Sequence, residues 1–244
     1  MRIFEVFPSL QGEGKYIGLW QIFVRFSGCN MKCEYCDTEE SLNAGANKAS
    51  FYDLSGNLLD QEANPVSEKR FIELMDKFYD KNIKDYHSVS FTGGEPLLYT
   101  ENIKNISDFF KEKGMEIFLE TNGTLPNNLN KIIDSIDIVS MDLKLSSQTK
   151  EREFFEEHRD FIRLCEEHNK EYYVKLTAGN DFTKEELDFI KDLKKVMKKP
   201  ELYLQPIFGK IDSIAELKKI SDIFIQMGFA VKLIPQMHKY LNFR

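Results

Sequence analysis

The chain has 244 residues, 42% hydrophobic and 30% charged, with a formal net charge of −7. That length supports a substantial core in a single domain spanning 1–244, and the acidic balance argues against broad binding to nucleic acid or acidic membrane surfaces. No run approaches the roughly 20 apolar residues of a membrane span. The opening Met1-Arg2-Ile3-Phe4-Glu5 lacks the apolar core of a secretion signal, so a cytoplasmic location is expected.

Ile3–Phe7 and Trp20–Phe26 read as strands. A long irregular stretch, roughly 27 to 66, follows and holds three of the four cysteines. Within it Phe51–Leu59 has the pattern of a hairpin around Ser55-Gly56-Asn57, and about 39–66 reads as an insertion or lid beyond a loop over 27–38. A helix opens near Ser67, a suitable N-cap, with Phe71, Leu74, Met75 and Phe78 on one face. Ser88–Phe91 is a strand ending in Thr92-Gly93-Gly94-Glu95-Pro96, and the next helix stops at Gly114. Glu116–Glu120 is a strand ending in Thr121-Asn122-Gly123, and Pro126 suits the first turn of a helix. Ile138–Leu143 is a strand ending in Lys144. A charged helix is expected over about 150 to 169, with Cys165 packed inside it, and Tyr172–Thr177 is the next strand. Thr183-x-x-Glu186 is a capping box. Leu202–Leu204 leads into Gln205-Pro206-Ile207-Phe208, Ser213-x-x-Glu216 opens a helix that closes at Gly228, and Ala230–Ile234 is the final strand. Repeated strand–helix units imply a parallel sheet with right-handed crossovers, either open or barrel-like. The unusual polar residues fall just after strands, where both kinds of sheet place their active sites.

Cys29, Cys33 and Cys36 have three and then two residues between them. In a chain of this kind a tight thiol cluster points to metal rather than disulfides. Three cysteines can satisfy three irons of a four-iron cluster and leave the fourth open. The competing reading is a zinc site completed by a distant ligand, in a metal-stabilised binding module. Zinc knuckles usually come as paired Cys-x₂-Cys units, and only one triplet is present here.

Cys-x₃-Cys-x₂-Cys after a strand resembles the signature of the radical S-adenosylmethionine superfamily, and Gly93-Gly94-Glu95 resembles its GGE motif. The resemblance implies a [4Fe–4S] cluster and S-adenosylmethionine as cofactors. It also implies an α/β fold, a partial (β/α)6 barrel of TIM type with an irregular cluster-binding loop. Glu5-Val6-Phe7-Pro8-Ser9-Leu10-Gln11-Gly12-Glu13-Gly14, with Cys36-Asp37-Thr38 and Gln236-Met237-His238-Lys239-Tyr240, is similar to the 7-carboxy-7-deazaguanine synthase family. That similarity implies a 6-carboxy-5,6,7,8-tetrahydropterin substrate, Mg²⁺ on Thr38, a homodimer, and an external electron donor of flavodoxin or ferredoxin type. It assigns Tyr35, Asp37, Gly93, Gly94, Glu95, Glu120, Asn122, Asp142, Lys144 and Gln205 to S-adenosylmethionine. It assigns Leu10, Gln11, Gly12, Glu13, Arg25, Thr92, His238 and the terminal carboxylate of Arg244 to the substrate. Asp142-Leu143-Lys144 departs from the Ser-Pro-Lys of some relatives. The residue types suit these assignments. Gln11 and Glu13 offer a donor and acceptors for the amide and amino edge of a pterin. Arg25, on a strand apolar on both faces, needs an anionic partner that a substrate carboxylate or an internal acid would provide. A glycyl-radical activase would share the cysteine motif and the barrel without needing Gln11, Glu13 and Arg25 as a set.

Overall fold

Alternation of polar and apolar residues along each strand decides the architecture. The computed structural model describes residues 1–43, 45–179 (backbone alone at 82), 181–207, 211 and 213–241. β1 (Ile3–Leu10) and β2 (Trp20–Phe26) pair antiparallel, with Glu5 opposite Arg25 and Ser9 opposite Gln21. β3 (Lys48–Tyr52) and β4 (Leu58–Ala63) form a hairpin, and β3 adds parallel to β1, so part of the stretch after the cysteines extends the sheet edge. The hairpin is longer than the Phe51–Leu59 pattern because Lys48–Ser50 also pair, against Gln61–Ala63.

Beyond α1 (Glu68–Tyr79), the chain alternates strand and helix. β5 (Ser88–Gly93), α2 (Thr100–Glu112), β6 (Glu116–Thr121), α3 (Pro126–Ile132) and β7 (Ile138–Leu143) come first. Then follow α4 (Ser146–Thr149), α5 (Phe155–Glu167), β8 (Glu171–Ala178), α6 (Lys184–Leu193), β9 (Glu201–Pro206), α7 (Ile214–Gln226), β10 (Ala230–Leu233) and α8 (Met237–Leu241). The sheet order is β10-β9-β8-β7-β6-β5-β2-β1-β3-β4. The run from β2 through β5 to β9 supplies the six parallel strands expected of the partial barrel. The ladder stays open, with β10 and β4 as its edges among the described residues.

One face of each strand is apolar and carries the helices. Val24, Val89, Phe91, Leu119, Val139, Val174 and Leu204 are buried there against Leu74, Phe110, Phe161, Ile190 and Phe224. Cys165 belongs to this layer and is fully buried, as expected. The capping box at Thr183 and Glu186 is complete, and Ser67 caps α1. The other face is concave. Its lower half is an aromatic floor of Phe118, Tyr173 and Tyr203 with Ile138, plugged by Tyr16. Its upper half, toward the C-terminal ends of the strands, is polar.

One expected helix is corrected. The helix expected over about 150–169 is shorter: α4 ends at Thr149, Lys150 follows it with φ of 63°, and α5 starts only at Phe155. The break serves the cysteine loop. The Thr149 carbonyl accepts from the Glu34 amide at 3.0 Å, and the Glu151 carboxylate accepts from the Lys32 amide at 2.7 Å. No described helix is long and apolar enough to cross a membrane.

Candidate active site

The cysteine loop is fixed at both ends by backbone. Gly28 leaves β2 with φ of 92°, donates its amide to the Ser41 carbonyl at 2.7 Å, and accepts from the Glu95 amide at 2.9 Å. This contact accounts for the two glycines after β5. A Cβ at Gly94 would overlap the Gly28 carbonyl, and one at Gly93, where φ is 117°, would overlap the Phe26 backbone. Side chains complete the anchorage. Asn122 Nδ2 donates to Asn30 Oδ1 at 2.9 Å and lies 3.8 Å from Cys29 Sγ, while Asn30 Nδ2 donates to Thr124 Oγ1 at 2.8 Å.

All three thiols open into one cavity of about 1010 Å³. Burial pushes the Cys29 thiol up to about 11 and raises that of Cys33. The donor set fits an iron–sulfur cluster better than zinc. Among the described residues, no thiol belongs to a group of three or more ligating side chains within 4.8 Å, whereas a tetrahedral ion with bonds to sulfur of about 2.3 Å requires closer grouping. The one set that does converge is Glu13, Asp37 and His238, and there the Gln236 amide already bridges the two carboxylates at 3.0 and 3.1 Å. The cavity also suits a polar cofactor: Gln205 Oε1 is buried at its wall without a hydrogen-bond partner among the described residues.

On the side away from the cysteines, Gln11 Nε2 donates to Glu120 Oε1 at 2.8 Å and to Gln21 Oε1 at 3.0 Å. Glu120 also accepts from Ser90 and Thr92. Glu13 pairs with Lys175 at 2.6 Å and accepts from Gln236. Burial alone would push its carboxyl up, but the Lys175 ammonium outweighs it and holds Glu13 at about 2. Lys175 also meets Asp142 at 3.0 Å, and Asp142 meets Lys144 at 3.0 Å, with the Lys144 ammonium over the Tyr35 ring. Burial opposes the charge on both lysines, but the neighbouring carboxylates keep their pKa values well above the ordinary range.

The cavity gathers nearly every residue singled out in the sequence: Leu10, Gln11, Gly12, Glu13, Arg25, the three cysteines, Tyr35, Asp37, Thr38, Thr92, Gly93, Gly94, Glu120, Asn122, Asp142, Lys144, Gln205 and His238. One placement is a correction. Glu95 is fully buried and turned away from the cavity; its carboxylate accepts from the Leu97 and Asn122 amides and the Thr121 hydroxyl, tying the end of β5 to the end of β6. Arg25 has an internal partner, Glu5 Oε1 at 3.0 Å across the β1–β2 pair, because register puts the two side chains opposite each other. Its guanidinium also lies over the Phe7 ring, 5.6 Å from the centroid, and its two terminal NH₂ groups make no hydrogen bond among the described residues. Arg244 and Phe208 lie outside the described residues.

Sequence reasoning passed over Lys175, Glu5, Thr177 and His158. The first three line the cavity. A lysine between Val174 and Leu176 was the available signal. His158 has no local signature. It is buried inside α5, its Nε2 lies 3.1 Å from the Asn122 carbonyl, and burial pushes it down to about 4, so it sits there neutral.

Comparison with known proteins gives the family and the fold. The profile of the radical SAM superfamily matches residues 23–193. The 7-carboxy-7-deazaguanine synthase of Methanopyrus kandleri is 32% identical, covering all of this chain and 94% of the relative. That of Methanocaldococcus jannaschii is 34% identical over 98% of each chain. In fold, the crystal structure of QueE from Escherichia coli superposes with a TM-score of 0.58, covering 95% of this chain and 92% of that one at 18% identity. A structure of TYW1 with a lysine-pyruvate adduct bound reaches 0.55 at 14% identity, covering 84% of this chain and 73% of that one. With its cysteine triplet, its open parallel sheet and relatives this similar over their whole length, the chain belongs to the radical SAM superfamily and, within it, to the 7-carboxy-7-deazaguanine synthase family.

Proposed function

We propose that this chain is a lyase that converts 6-carboxy-5,6,7,8-tetrahydropterin into 7-carboxy-7-deazaguanine with loss of ammonia, a step toward queuosine and related 7-deazapurines. The observation that carries the reading is that the Gln11–Glu13 loop and the cysteine loop open into the same cavity. Cys29, Cys33 and Cys36 would hold three irons of a [4Fe–4S] cluster and leave the fourth for S-adenosylmethionine. When bound, these cofactors supply a carbon radical that takes a hydrogen atom from C6 of the pterin.

The chain's own residues bind, orient and shield. Gly93 and Gly94 offer backbone at the edge of the cofactor space, and Tyr35, Asp37, Asn122, Asp142, Lys144 and Gln205 offer polar groups around it. Glu95 supports that wall from behind. Glu120 stands between the two halves, bonded to Gln11 and Thr92. Gln11, Gly12 and the ionised Glu13 suit the amide and amino edge of the pterin, which donates more protons than it accepts. The free NH₂ groups of Arg25 suit its carboxylate, with Glu5 fixing the Nε edge of the guanidinium. Leu10, Thr92 and His238 frame the same space, and the Thr38 hydroxyl at the cavity wall is a hard oxygen ligand suited to Mg²⁺. The floor of Tyr16, Phe118, Tyr173 and Tyr203 keeps water from entering from below.

The remaining parts of the reading follow the family: a single domain over 1–244, a homodimer, a flavodoxin- or ferredoxin-type electron donor, the Arg244 carboxylate at the substrate, and a cytoplasmic location. The test is anaerobic turnover. Protein with a reconstituted cluster, given the carboxypterin, S-adenosylmethionine, Mg²⁺ and a reductant, is expected to release 7-carboxy-7-deazaguanine and ammonia in equal amounts. Cleavage of S-adenosylmethionine without a deazaguanine product would overturn the assignment.

A further inference from the structure

We propose that Lys175 is a positioning residue that serves both halves of the cavity at once, aiming Glu13 toward the pterin and Asp142 toward S-adenosylmethionine. The inference rests on the pterin reading above. Lys175 is the middle inward residue of β8, between Tyr173 at the floor and Thr177 at the rim. Its side chain is 6% exposed, and its ammonium lies 2.6 Å from Glu13 Oε2 and 3.0 Å from Asp142 Oδ1. Asp142 Oδ2 takes Lys144 at 3.0 Å. Charge therefore alternates through Glu13, Lys175, Asp142 and Lys144, drawn from the loop after β1, from β8 and from the end of β7.

Each carboxylate sets one oxygen against Lys175, in a hydrogen bond at Glu13 and at ion-pair distance without hydrogen-bond geometry at Asp142, and gives the other to a different neighbour: Glu13 Oε1 to Gln236, Asp142 Oδ2 to Lys144. A single ammonium thus fixes the direction of two acids that face different ligands. Stability alone does not explain a lysine here. A buried ion pair seldom gains over well-packed apolar side chains, because desolvation offsets the attraction. Removing the cation would leave Glu13 buried without compensation. It would then take up a proton or turn toward water, and present a donor where the N–H edge of the pterin needs an acceptor. The groups facing Lys175 are Asp142, Glu13, Glu120 and Tyr173, and those facing Glu13 are Lys175, Gln236, His238, Asp37 and Asp142. His238 lies 4.0 Å from Glu13, too far to replace the ammonium at 2.6 Å.

The test is equilibrium binding of each ligand separately, under anaerobic conditions, to the cluster-reconstituted chain. Lys175→Met is expected to weaken both the pterin and S-adenosylmethionine by about tenfold or more, with iron content unchanged. Lys175→Arg, which keeps the charge, is expected to stay within about threefold of the parent chain for both ligands. In a Glu13→Gln background, Lys175→Met should add little to the loss of pterin affinity, since the pair acts as a unit. The positioning role is overturned if Lys175→Met binds either ligand as tightly as the parent, if Lys175→Arg is no better than Lys175→Met, or if the two losses simply add. Should the Met variant not fold, Lys175→Gln is read by the same criteria. A parent chain that binds S-adenosylmethionine but no pterin would instead refute the pterin reading itself.

Discussion

The concave face of the sheet has two halves built on the same strands. Near the strand starts, Phe118, Ile138, Tyr173 and Tyr203 form a dry floor. Two residues further along those strands stand Glu120, Ser140, Lys175 and Gln205, and beyond Ser140 comes Asp142. The strands keep one register, so a step of two residues stays on one face and moves from packing to chemistry. The floor can be apolar because nothing reacts there. The rim must be polar and ionic, and it meets the cost of burying charge by pairing Glu13, Lys175, Asp142 and Lys144 in sequence. Floor substitutions should therefore cost stability and spare chemistry, whereas rim substitutions should cost chemistry.

The largest effect is expected at the cysteines. Cys33→Ala should abolish both cluster iron and turnover, while Cys165→Ala, on the helix side of the sheet, should keep its iron; iron and sulfide analysis of anaerobically purified protein reads both. Loss of iron in Cys165→Ala would break the division between cavity and packing. Next comes the floor. Phe118→Ala should lower unfolding free energy in urea by about 3–5 kcal/mol, with the ratio of iron to folded protein unchanged. Gly94→Ala joins the two properties, because its new methyl group would collide with the loop that carries Cys29. We expect a loss of about 3 kcal/mol together with reduced iron content, and stability loss without iron loss would show that the loop adjusts independently.

A smaller effect appears in acid. Glu13 sits at about 2 in the folded chain against an ordinary 4.5. A carboxyl whose pKa is lowered by folding adds stability that is fully present above the ordinary value and disappears as pH falls through the folded one. Glu13 should thus contribute about 3 kcal/mol at neutral pH, lost between pH 4.5 and about 2. Urea midpoints across that window should fall less steeply in Glu13→Gln than in the parent. The smallest effect lies outside both halves: Thr183→Ala removes one side of the α6 capping box and should cost about 1 kcal/mol with no change in ligand affinity.

Strand positions were legible because the signal is local. The apolar alternation of Ser88-Val89-Ser90-Phe91 and Ile138-Val139-Ser140-Met141 gives both the strand and its two faces. The cysteine spacing and the residues after each strand were legible for the same reason, and nearly all of them meet in one cavity. What escaped depends on partners distant in sequence. Arg25 and Glu5 are paired by the register of two strands, and Lys175 and Glu13 are 162 residues apart. The Gly93-Gly94 pair reads as a motif in sequence, but its physical reason, contact with Gly28, exists only after β2 and β5 have paired. The late start of α5 was hidden because the charged run from Lys150 to Glu157 has helical composition throughout.

The account depends on the pterin and the radical source sharing one cavity. The most direct measurement is turnover of carboxypterin carrying deuterium at C6, followed by mass analysis of the recovered S-adenosylmethionine. Deuterium accumulating in the cofactor alongside 7-carboxy-7-deazaguanine is the predicted result. Product formed while the recovered cofactor stays unlabelled would contradict it.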